Sequence, residues 1–422
     1  MKIVIQSINF YPDLTGVGKY TGEMASWLAS KGHDVRVITA PPYYPQWKIS
    51  KPYKKYSWSS ELYKGVKVWR CPIWVPTRPC GFTRLLHLMS FALSSFPVIL
   101  GHILWRPNII MSIEPPLFTA PAAIILAKVC RAKSILHIQD YEIDAAFNLG
   151  LLRGKVLKKT ILGIERFLLR RFNLVSTISS KMIDKALSKG LNPQNIFLLP
   201  NWVNINSEAQ YAKPQNKLLN KSNLQYRARL KIPSNGLIAL YSGSMGEKQG
   251  LEILGQVARL YQIDKINSLP LIHFIFCGSG VGREKLQNEC RDLRYVYFLD
   301  FQPEKHLDQF LAMADIHLLP QRSDVSDLVM PSKLTGIMAS GKPVIVSANA
   351  DTELANITQG SGIVVPPDDP NSFFEALVTL ASNKILRHTL GQNGFKYAKK
   401  HFSQERIMLD FESKLYYLLK DK

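Results

Sequence analysis

The chain has 422 residues, five cysteines and a formal net charge of +21 at pH 7. A chain of this length is too long for one compact core, so we expect two domains of roughly 200 residues each. The cysteines, at positions 71, 80, 130, 277 and 290, form no Cys-x-x-Cys pair. Their scatter argues against a disulfide framework or a structural metal site and favours a reducing cytosol.

The positive charge is concentrated in the first half of the chain. Residues 1–200 contain 27 Lys and Arg against 10 Asp and Glu, a net of +17, whereas residues 201–422 contain 26 against 22, a net of +4. Nucleic acid or an anionic membrane surface would attract such a half. Because no zinc-finger spacing, RNP-like motif or helix-turn-helix pattern is present, nucleic acid is not expected and a membrane surface is favoured.

The first part of the chain alternates between strand and helix patterns. Strands at 3–8 and 35–39 enclose a helix at 20–31, and the loop before this helix carries Gly16 and Gly18. Two glycines there suit the close approach of a phosphate or sugar, although an ordinary turn also needs them. The aromatic, proline and lysine residues of 41–63 predict a long irregular excursion. The run 85–105 predicts a buried or interfacial helix, because histidines, serines and Pro97 make a membrane span less favourable.

Strands at 108–112 and 134–139 follow, and the second places His137 and Asp140 at its carboxyl end. Ligands bind at this edge of open α/β sheets, so both residues are candidate catalytic groups. The alternative is a structural histidine and a helix-capping aspartate.

Residues 153–172 combine seven basic residues and one acid with apolar residues at helical spacing. A solvated basic face would explain this pattern, but the charge excess of the first half favours docking on anionic lipid head groups. The residues predicted to contact the membrane are Arg153, Lys155, Lys158, Lys159, Arg166, Phe167, Arg170, Arg171 and Phe172. Strands at 174–178 and 196–199 close this first sheet.

A polar segment at 206–231 predicts a linker between a domain at 1–205 and a domain at 232–400, with a C-terminal helix at 401–422. Strand patterns resume at 238–241, 271–277, 295–299, 315–319, 344–347 and 363–365. Their alternation with helical patterns predicts a second parallel sheet.

The segment LIALYSGSMGEKQGLEIL (237–254) predicts a buried strand, then a glycine turn and the start of a helix. Gly243 and Gly246 allow a ligand close to the backbone, and a helix that starts near Glu247 would present its free N–H groups there. Lys248 adds a cation. An ordinary strand-to-helix turn is the alternative interpretation.

Several segments resemble the family four glycosyltransferases in the order in which that family has them. They are YPDLTGVGKY, KGHDVRVIT, TISSKMIDKALSKGLNPQNIFLLPNWV, FCGSGVGREKL, ADIHLLPQ, PSKLTGIMASGKPVIV and GSGIVVPPDDP. Within this family, TAPPYYPQW, RLLHLMSFALSSFPV and HIQDYEIDA are most similar to the bacterial exopolysaccharide enzymes of colanic acid biosynthesis. The resemblance implies an α/β fold of two doubly wound Rossmann-like domains facing a cleft (GT-B), and a retaining hexosyltransferase.

The resemblance also implies the partners and the roles of single residues. A nucleoside diphosphate sugar would bind mainly the second domain, and a lipid-linked glycan acceptor the first, without a metal or other cofactor. The implied donor-binding residues are Gly16, Gly18, Ser244, Lys248, Gly278, Gly280, Glu284, Ser332 and Lys333, with His137 and Asp140 near the transferred sugar. The protein would be cytoplasmic, peripheral on the inner face of the plasma membrane.

Two positions depart from the family pattern. Many members have an Arg and a Lys where this chain has Ser244 and Gln249, and two glutamates where it has Leu328 and Gly336. The carboxylate that meets the donor ribose is therefore absent. Two alternatives stay open: a nucleotide-sugar 2-epimerase, which shares the architecture, and a catalytically silent membrane-attached assembly partner.

Overall fold

The computed structural model describes residues 1–13, 16–44, 46–77, 80–148, 154–205, 225–246, 249–264, 269–323 and 332–420. The chain divides into two compact units, Met1–Pro200 with Arg406–Lys422, and Asn201–Glu405. The predicted linker at 206–231 lies outside the described residues up to position 224. Residues 225–229 are helical, and Tyr226 and Leu230 pack against the core of the second unit, so this last part is not a linker.

An eight-stranded sheet organises the first unit. Its strands are β1 (Lys2–Gln6), β2 (Asp34–Thr39), β3 (Ser59–Tyr63), β4 (Val66–Arg70), β5 (Ile109–Glu114), β6 (Lys133–Ile138), β7 (Leu174–Thr177) and β8 (Ile196–Leu198), in the order β3-β4-β2-β1-β5-β6-β7-β8. All neighbouring strands are parallel except β3 and β4. Four of the six residues of β5 are apolar, and the strand is buried along its whole length.

One face of this sheet is covered by a shared layer of helices. The helices of the unit are α1 (Gly16–Ser30), α2 (Gly81–Gly101), α3 (Ala120–Cys130), α4 (Glu142–Asn148), α5 (Lys155–Leu169) and α6 (Ser180–Ser188). Phe91 of α2, Leu126 of α3, Leu169 of α5 and Met182 of α6 belong to one hydrophobic core. These four helices therefore lie in the same layer. Among the described residues, α2 is the one helix whose length and apolar composition would suit a membrane span, and 28% of its apolar window is buried.

The hairpin of β3 and β4 corrects the predicted irregular excursion, which extended to residue 63. In β4, Val66 and Val68 are buried and Lys67 is exposed, an alternation typical of a strand. Arg70 is buried and its Nε donates a 2.8 Å bond to Glu61 Oε1 on β3. This cross-strand ion pair fixes the excursion to the edge of the sheet.

The second unit contains a six-stranded, fully parallel sheet, as predicted. Its strands are β9 (Leu237–Ser242), β10 (Ile272–Cys277), β11 (Val296–Leu299), β12 (Ile316–Leu319), β13 (Val344–Ser347) and β14 (Gly362–Val365), in the order β11-β10-β9-β12-β13-β14. Its helices include α7 (Glu252–Asp264), α8 (Gly282–Glu289), α9 (Glu304–Ala312), α10 (Ser332–Ala339), α11 (Glu353–Thr358), α12 (Pro370–Ser382) and α13 (Lys384–His401). Both sheets thus have the doubly wound arrangement.

The C-terminal helix α14 (Gln404–Lys420) packs on the first unit from Arg406 onward. Its buried face includes Met408, Phe411 and Leu415. Glu412 on this helix accepts a 2.7 Å hydrogen bond from His33 Nε2. The last helix of the chain is therefore part of the unit that the N-terminus begins.

Strand order reverses between β1 and β5 in the first sheet and between β9 and β12 in the second. In open α/β sheets the crevice at the carboxyl ends of the strands beside such a reversal is the usual ligand site.

Candidate active site

The loops that follow β9 and β10 are packed backbone to backbone. Met245 N donates a 2.9 Å hydrogen bond to Ser279 O. A Cβ at Gly278 would lie 1.8 Å from Gly243 O, and one at Gly280 would lie 2.5 Å from Met245 O, while both glycines have positive φ angles, +147° and +148°. The contact between the two loops therefore explains why Gly278 and Gly280 are glycines. It also fixes the shape of the loop that carries Ser244.

Lys333, in the first turn of α10, extends its side chain to the β9 loop. Its Nζ donates to Tyr241 Oη (2.7 Å), Gln249 Oε1 (2.7 Å) and Ser244 O (3.2 Å). A Cβ at Gly243 would lie 2.2 Å from Lys333 Cε, so this glycine makes room for the lysine stem. The three acceptors use all three N–H groups of the ammonium.

The surroundings of Lys333 are polar but uncharged. Burial lowers the pKa of Lys333 to about 7, and no acidic side chain of the described residues counteracts this shift. A partly desolvated cation with only neutral partners is stabilised by an incoming anion, because charge-assisted hydrogen bonds are stronger than neutral ones. Tyr241 Oη also donates a 2.5 Å bond to Ser244 O, so Tyr241 holds the lysine and the loop together.

Sequence reasoning named Lys333 but missed Tyr241 and Gln249 as its partners. The only local signal was a tyrosine at the end of the apolar run LIALY. Lys248, predicted to be the cation of the glycine turn, lies outside the described residues. Helix α7 begins at Glu252, after Gly250, whose φ of +60° lies outside the helical range. Glu247, where the sequence predicts a helix start, lies outside the described residues.

The remaining predicted donor-binding residues of this unit lie around the same loops. Ser244 is exposed and follows Gly243. Glu284 is exposed in the first turn of α8, a position that the helix dipole favours for an acid. Ser332 is the first residue of α10. The structure thus gathers Ser244, Gly278, Gly280 and Lys333 at one sheet edge.

In the first unit, Gly16 and Gly18 form the beginning of α1. Gly16 has φ +57°, and a Cβ there would meet nothing within 4 Å, whereas a Cβ at Gly18 would lie 2.6 Å from Asp13 Cβ. Gly18 therefore admits the close packing of Asp13. Burial raises the pKa of Asp13 to about 6, although a bond from Asn9 and the charge of Arg70 oppose the shift. Two glycines and a buried carboxyl thus lie at the carboxyl end of β1.

His137 lies at the carboxyl end of β6, as predicted, but its ring is buried. Nδ1 lies 2.9 Å from Ser176 Oγ, and Nε2 lies 2.8 Å from Gln139 Nε2. Because the amide nitrogen donates, Nε2 accepts and Nδ1 carries the proton toward Ser176. Burial lowers the pKa of His137 to about 4, so the ring is neutral at pH 7. The half-buried Asp140 follows Gln139 in the turn before α4.

The structure also contains a group of buried carboxyls around Glu114, which the sequence analysis did not predict. Glu114, the last residue of β5, is fully buried, and neither of its carboxyl oxygens accepts a hydrogen bond from a described residue. Burial, reinforced by Glu165 and Glu142, raises the pKa of Glu114 well above its usual value. Lys189 bonds both Glu165 and Asp144, the latter at 2.6 Å. No group of three or more His, Cys, Asp or Glu among the described residues has an arrangement that would hold a metal ion.

Comparisons with known proteins agree over the whole chain. Residues 15–202 match the glycosyl transferase 4-like domain, and residues 222–397 match the glycosyl transferases group 1. The chain is 39% identical over 419 residues to the colanic acid biosynthesis glycosyl transferase WcaI of Escherichia coli, covering 97% of this chain and 98% of that protein. The chain belongs to the glycosyltransferases.

Solved structures confirm the GT-B fold of this glycosyltransferase. Sucrose-phosphate synthase from Thermosynechococcus elongatus superposes with a TM-score of 0.73 at 19% identity, covering 100% of this chain and 99% of that one. Anabaena HepE, solved in complex with UDP and glucose, superposes with a TM-score of 0.67 at 15% identity, covering 99% of this chain and 100% of that one.

The position of the expected ribose-binding glutamate is packed in this glycosyltransferase. Gly336 lies within α10, and a Cβ there would lie 3.2 Å from Leu311 Cδ1. Leu311 Cδ1 is the end of a flexible side chain, so this contact alone does not require glycine at position 336. Leu328, the other departure, lies outside the described residues.

The predicted membrane helix of the glycosyltransferase, α5, is largely exposed on its basic side. Lys158, Lys159, Arg166, Arg170 and Arg171 are exposed. Arg170 Nε also donates a 3.1 Å bond to Gly190 O. Arg153 lies outside the described residues, and the side chain of Lys155 is also outside the description.

Of the two predicted apolar anchors, one is exposed and one is buried. Phe167 is 55% exposed, and the guanidinium of Arg171 lies over its ring at 4.6 Å. Phe172 is only 4% exposed and lies in the hydrophobic core of the first unit, just after the end of α5. The prediction for Phe172 as a membrane contact is therefore wrong.

Proposed function

We propose that this glycosyltransferase transfers a sugar from a nucleoside diphosphate sugar to a lipid-linked glycan acceptor in the assembly of a colanic-acid-like exopolysaccharide. Its likeness to WcaI over 97% of the chain supports the pathway. A retaining outcome and the absence of a metal requirement are parts of the proposal. The observation that carries it is the uncompensated ammonium of Lys333 beside the two glycine loops.

The chemistry of glycosyl transfer requires stabilisation of the departing nucleoside diphosphate. Negative charge accumulates on the diphosphate as the bond to the sugar breaks, and a preorganised cation stabilises that charge most in a desolvated site. Lys333 is held by Tyr241 and Gln249 before any ligand arrives. A diphosphate oxygen would replace one of its neutral acceptors and supply the missing charge. Ser244, Gly278 and Gly280 would shape the surrounding loop.

His137 and Asp140 are proposed to act near the transferred sugar. The neutral ring of His137 forms hydrogen bonds with Ser176 and Gln139, so it would hold Gln139 and the adjoining turn in place. Replacing Asp140 by Asn removes the charge and keeps the size, so we expect turnover to fall while donor affinity and melting temperature stay unchanged. A lower melting temperature with unchanged turnover would instead identify Asp140 as a capping residue.

The donor is identified by a thermal-shift panel of GDP-, UDP- and dTDP-sugars. A ligand at 100 times its dissociation constant adds about 2.7 kcal/mol of stability, which gives a clear shift for the right nucleotide. Release of the nucleotide is then measured with and without a lipid-linked acceptor. Release that depends on the acceptor supports the transferase, conversion of the donor sugar without an acceptor identifies an epimerase, and binding without either reaction identifies a silent partner.

We also propose that the protein is peripheral on the cytoplasmic face of the plasma membrane. A lipid-linked acceptor lies at the bilayer, and the first half of the chain carries a net charge of +17 of the total +21 (27 − 10 and 53 − 32). The exposed basic side chains of α5 would attract anionic head groups.

A further inference from the structure

The solvent-facing side of α2 is apolar along its whole length. Phe82, Leu86, Met89, Leu93 and Phe96 are all exposed, Leu93 by 72%. Their spacing alternates between four and three residues, which places them in one stripe along the helix. A helix of 21 residues is about 30 Å long. Surfaces of soluble monomers rarely expose an apolar stripe of this size, so the stripe indicates a partner.

Helix α3 widens this stripe. It packs beside α2, and Cys130 Sγ at its end lies 3.9 Å from Ile103 O, just after α2. Ile125 and Val129 on α3 are 43% and 57% exposed. Together the exposed apolar residues form what we call the α2–α3 face: Phe82, Leu86, Met89, Leu93, Phe96, Leu104, Phe118, Ile125 and Val129.

The opposite side of α2 is tied into the first unit. His87 and Ser95 are fully buried. His87 Nδ1 bonds Trp74 O at 2.7 Å, and Ser95 Oγ accepts a 2.9 Å bond from Gln6 Nε2. Leaving the unit to span a membrane would break these bonds and uncover the core. A partner must therefore meet α2 from outside, with the helix lying flat.

The charges of the segment that carries the α2–α3 face are almost all positive. From Gly81 to Lys133 the chain has five basic residues and one acid, Glu114, which is fully buried. Arg84 lies near one end of the face, and Arg106, Lys128 and Arg131 lie near the other, all exposed.

Two tryptophans, each with a lysine ammonium near its ring, lie at the end of the α2–α3 face that carries Arg106. Lys67 Nζ lies 5.1 Å from the ring centre of Trp69. Lys2 Nζ lies 5.6 Å from that of Trp105, which follows α2. An apolar centre with tryptophans and cations at its border complements the hydrocarbon, interface and head groups of an anionic bilayer. A second copy of the same face would instead bring like charges together.

We infer that the α2–α3 face inserts into the head-group region of an anionic bilayer, making the first unit a monotopic membrane domain. This inference rests on the proposed function, because it specifies how the enzyme meets a lipid-linked acceptor. The inference goes beyond the proposed function because it assigns membrane attachment to insertion of apolar side chains as well as to the positive charge of α5. Since α2, α3 and α5 share one helical layer, the two contributions act on the same side of the unit.

The test measures sedimentation of the full chain with vesicles of phosphatidylcholine, with and without phosphatidylglycerol, at 0.1 M and 1 M salt. Apolar insertion persists at high salt, where electrostatic attraction is screened. We expect Leu93→Glu and, separately, Leu104→Glu to lower the partition coefficient at 1 M salt by about tenfold or more. The matched control is Ile385→Glu on α13 of the second unit, where Ile385 is 80% exposed, and it should leave the partition unchanged.

Three results would overturn the inference. Partition of both leucine variants equal to that of the unaltered protein would show that the face does not insert. A concentration-dependent dimer that Leu93→Glu dissociates would identify a second copy as the occupant. Resistance to alkaline carbonate extraction would identify a membrane span. The donor-induced thermal shift of each variant monitors folding, and its absence in the unaltered protein would contradict the proposed function without affecting vesicle binding.

Discussion

Lys333 is a half-buried cation whose three hydrogen bonds go to neutral oxygens, and this arrangement makes donor binding sensitive to pH. The pKa of Lys333 is lowered to about 7 by burial. Above that pH the free protein must take up a proton before its lysine can pair with a diphosphate. The phosphates of a nucleoside diphosphate sugar do not titrate near neutrality, so the pH dependence reports on the protein.

We therefore expect the dissociation constant of the donor to be constant below pH 6 and to rise above pH 7, approaching tenfold per pH unit. Lys333→Met should weaken binding at pH 6 by about 1.5 to 3 kcal/mol and abolish the slope. Calorimetry at several pH values measures both effects. Lys396→Met is the control, because Lys396 is exposed on α13. An undiminished slope in Lys333→Met would assign the proton to another group.

Among the loops and helices, the packing of the β9 and β10 loops is sensitive to a single methyl group. Gly278→Ala would place a Cβ 1.8 Å from Gly243 O, at a φ of +147° that L-residues rarely adopt. We expect a loss of about 2 kcal/mol or more in the free energy of unfolding, together with weaker donor binding.

The matched control for this substitution is Gly163→Ala on α5. A Cβ at Gly163 meets nothing within 4 Å. Because alanine favours a helix interior by about 0.5 to 1 kcal/mol over glycine, this variant should be more stable. Urea denaturation measures both variants. A Gly278→Ala protein of unaltered stability would show that the two loops separate easily.

The basic face of α5 should contribute to binding of anionic vesicles at low salt. Each basic side chain near such a surface contributes about 1 kcal/mol, so replacing Lys158, Lys159 and Arg166 by Gln should weaken binding by roughly 3 kcal/mol. Neutral vesicles should not distinguish the variant from the unaltered protein. The control replaces Lys396, Lys399 and Lys400, exposed on α13, by Gln. Equal losses in both triple variants would mean that only total charge matters.

For the molecule as a whole, the chain ends on the unit in which it begins. Phe411 of α14 is fully buried, and its ring centre lies 6.2 Å from that of Phe197 on β8. Phe411→Ala should cost about 3 to 5 kcal/mol and increase hydrogen exchange in β8 and the first unit. Tyr417→Ala, at a 60% exposed position, should change little. Increased exchange confined to the second unit would contradict the assignment of α14 to the first.

The sequence alone determined the fold class and most of its elements. Apolar runs such as Val344–Ser347 appear as buried strands in the structure at the predicted positions, because a parallel strand covered on both faces needs nearly every side chain to be apolar. The glycines after β9 and β10 marked the loops, since only glycine tolerates their backbone angles and close packing. The family motifs, which recur in order along the chain, identified a glycosyltransferase.

Tertiary structure decided which side chains meet. Lys333 and Tyr241 are 92 positions apart, and their bond depends on the placement of α10 beside the β9 loop. Phe172 follows a basic amphipathic helix, as a surface residue would, yet it turns into the core. Glu114 is the last residue of β5, and its raised pKa follows from its complete burial in the folded unit, reinforced by Glu165 and Glu142. Periodicity is local information about exposure, whereas burial and charge depend on neighbours that the chain brings from distant positions.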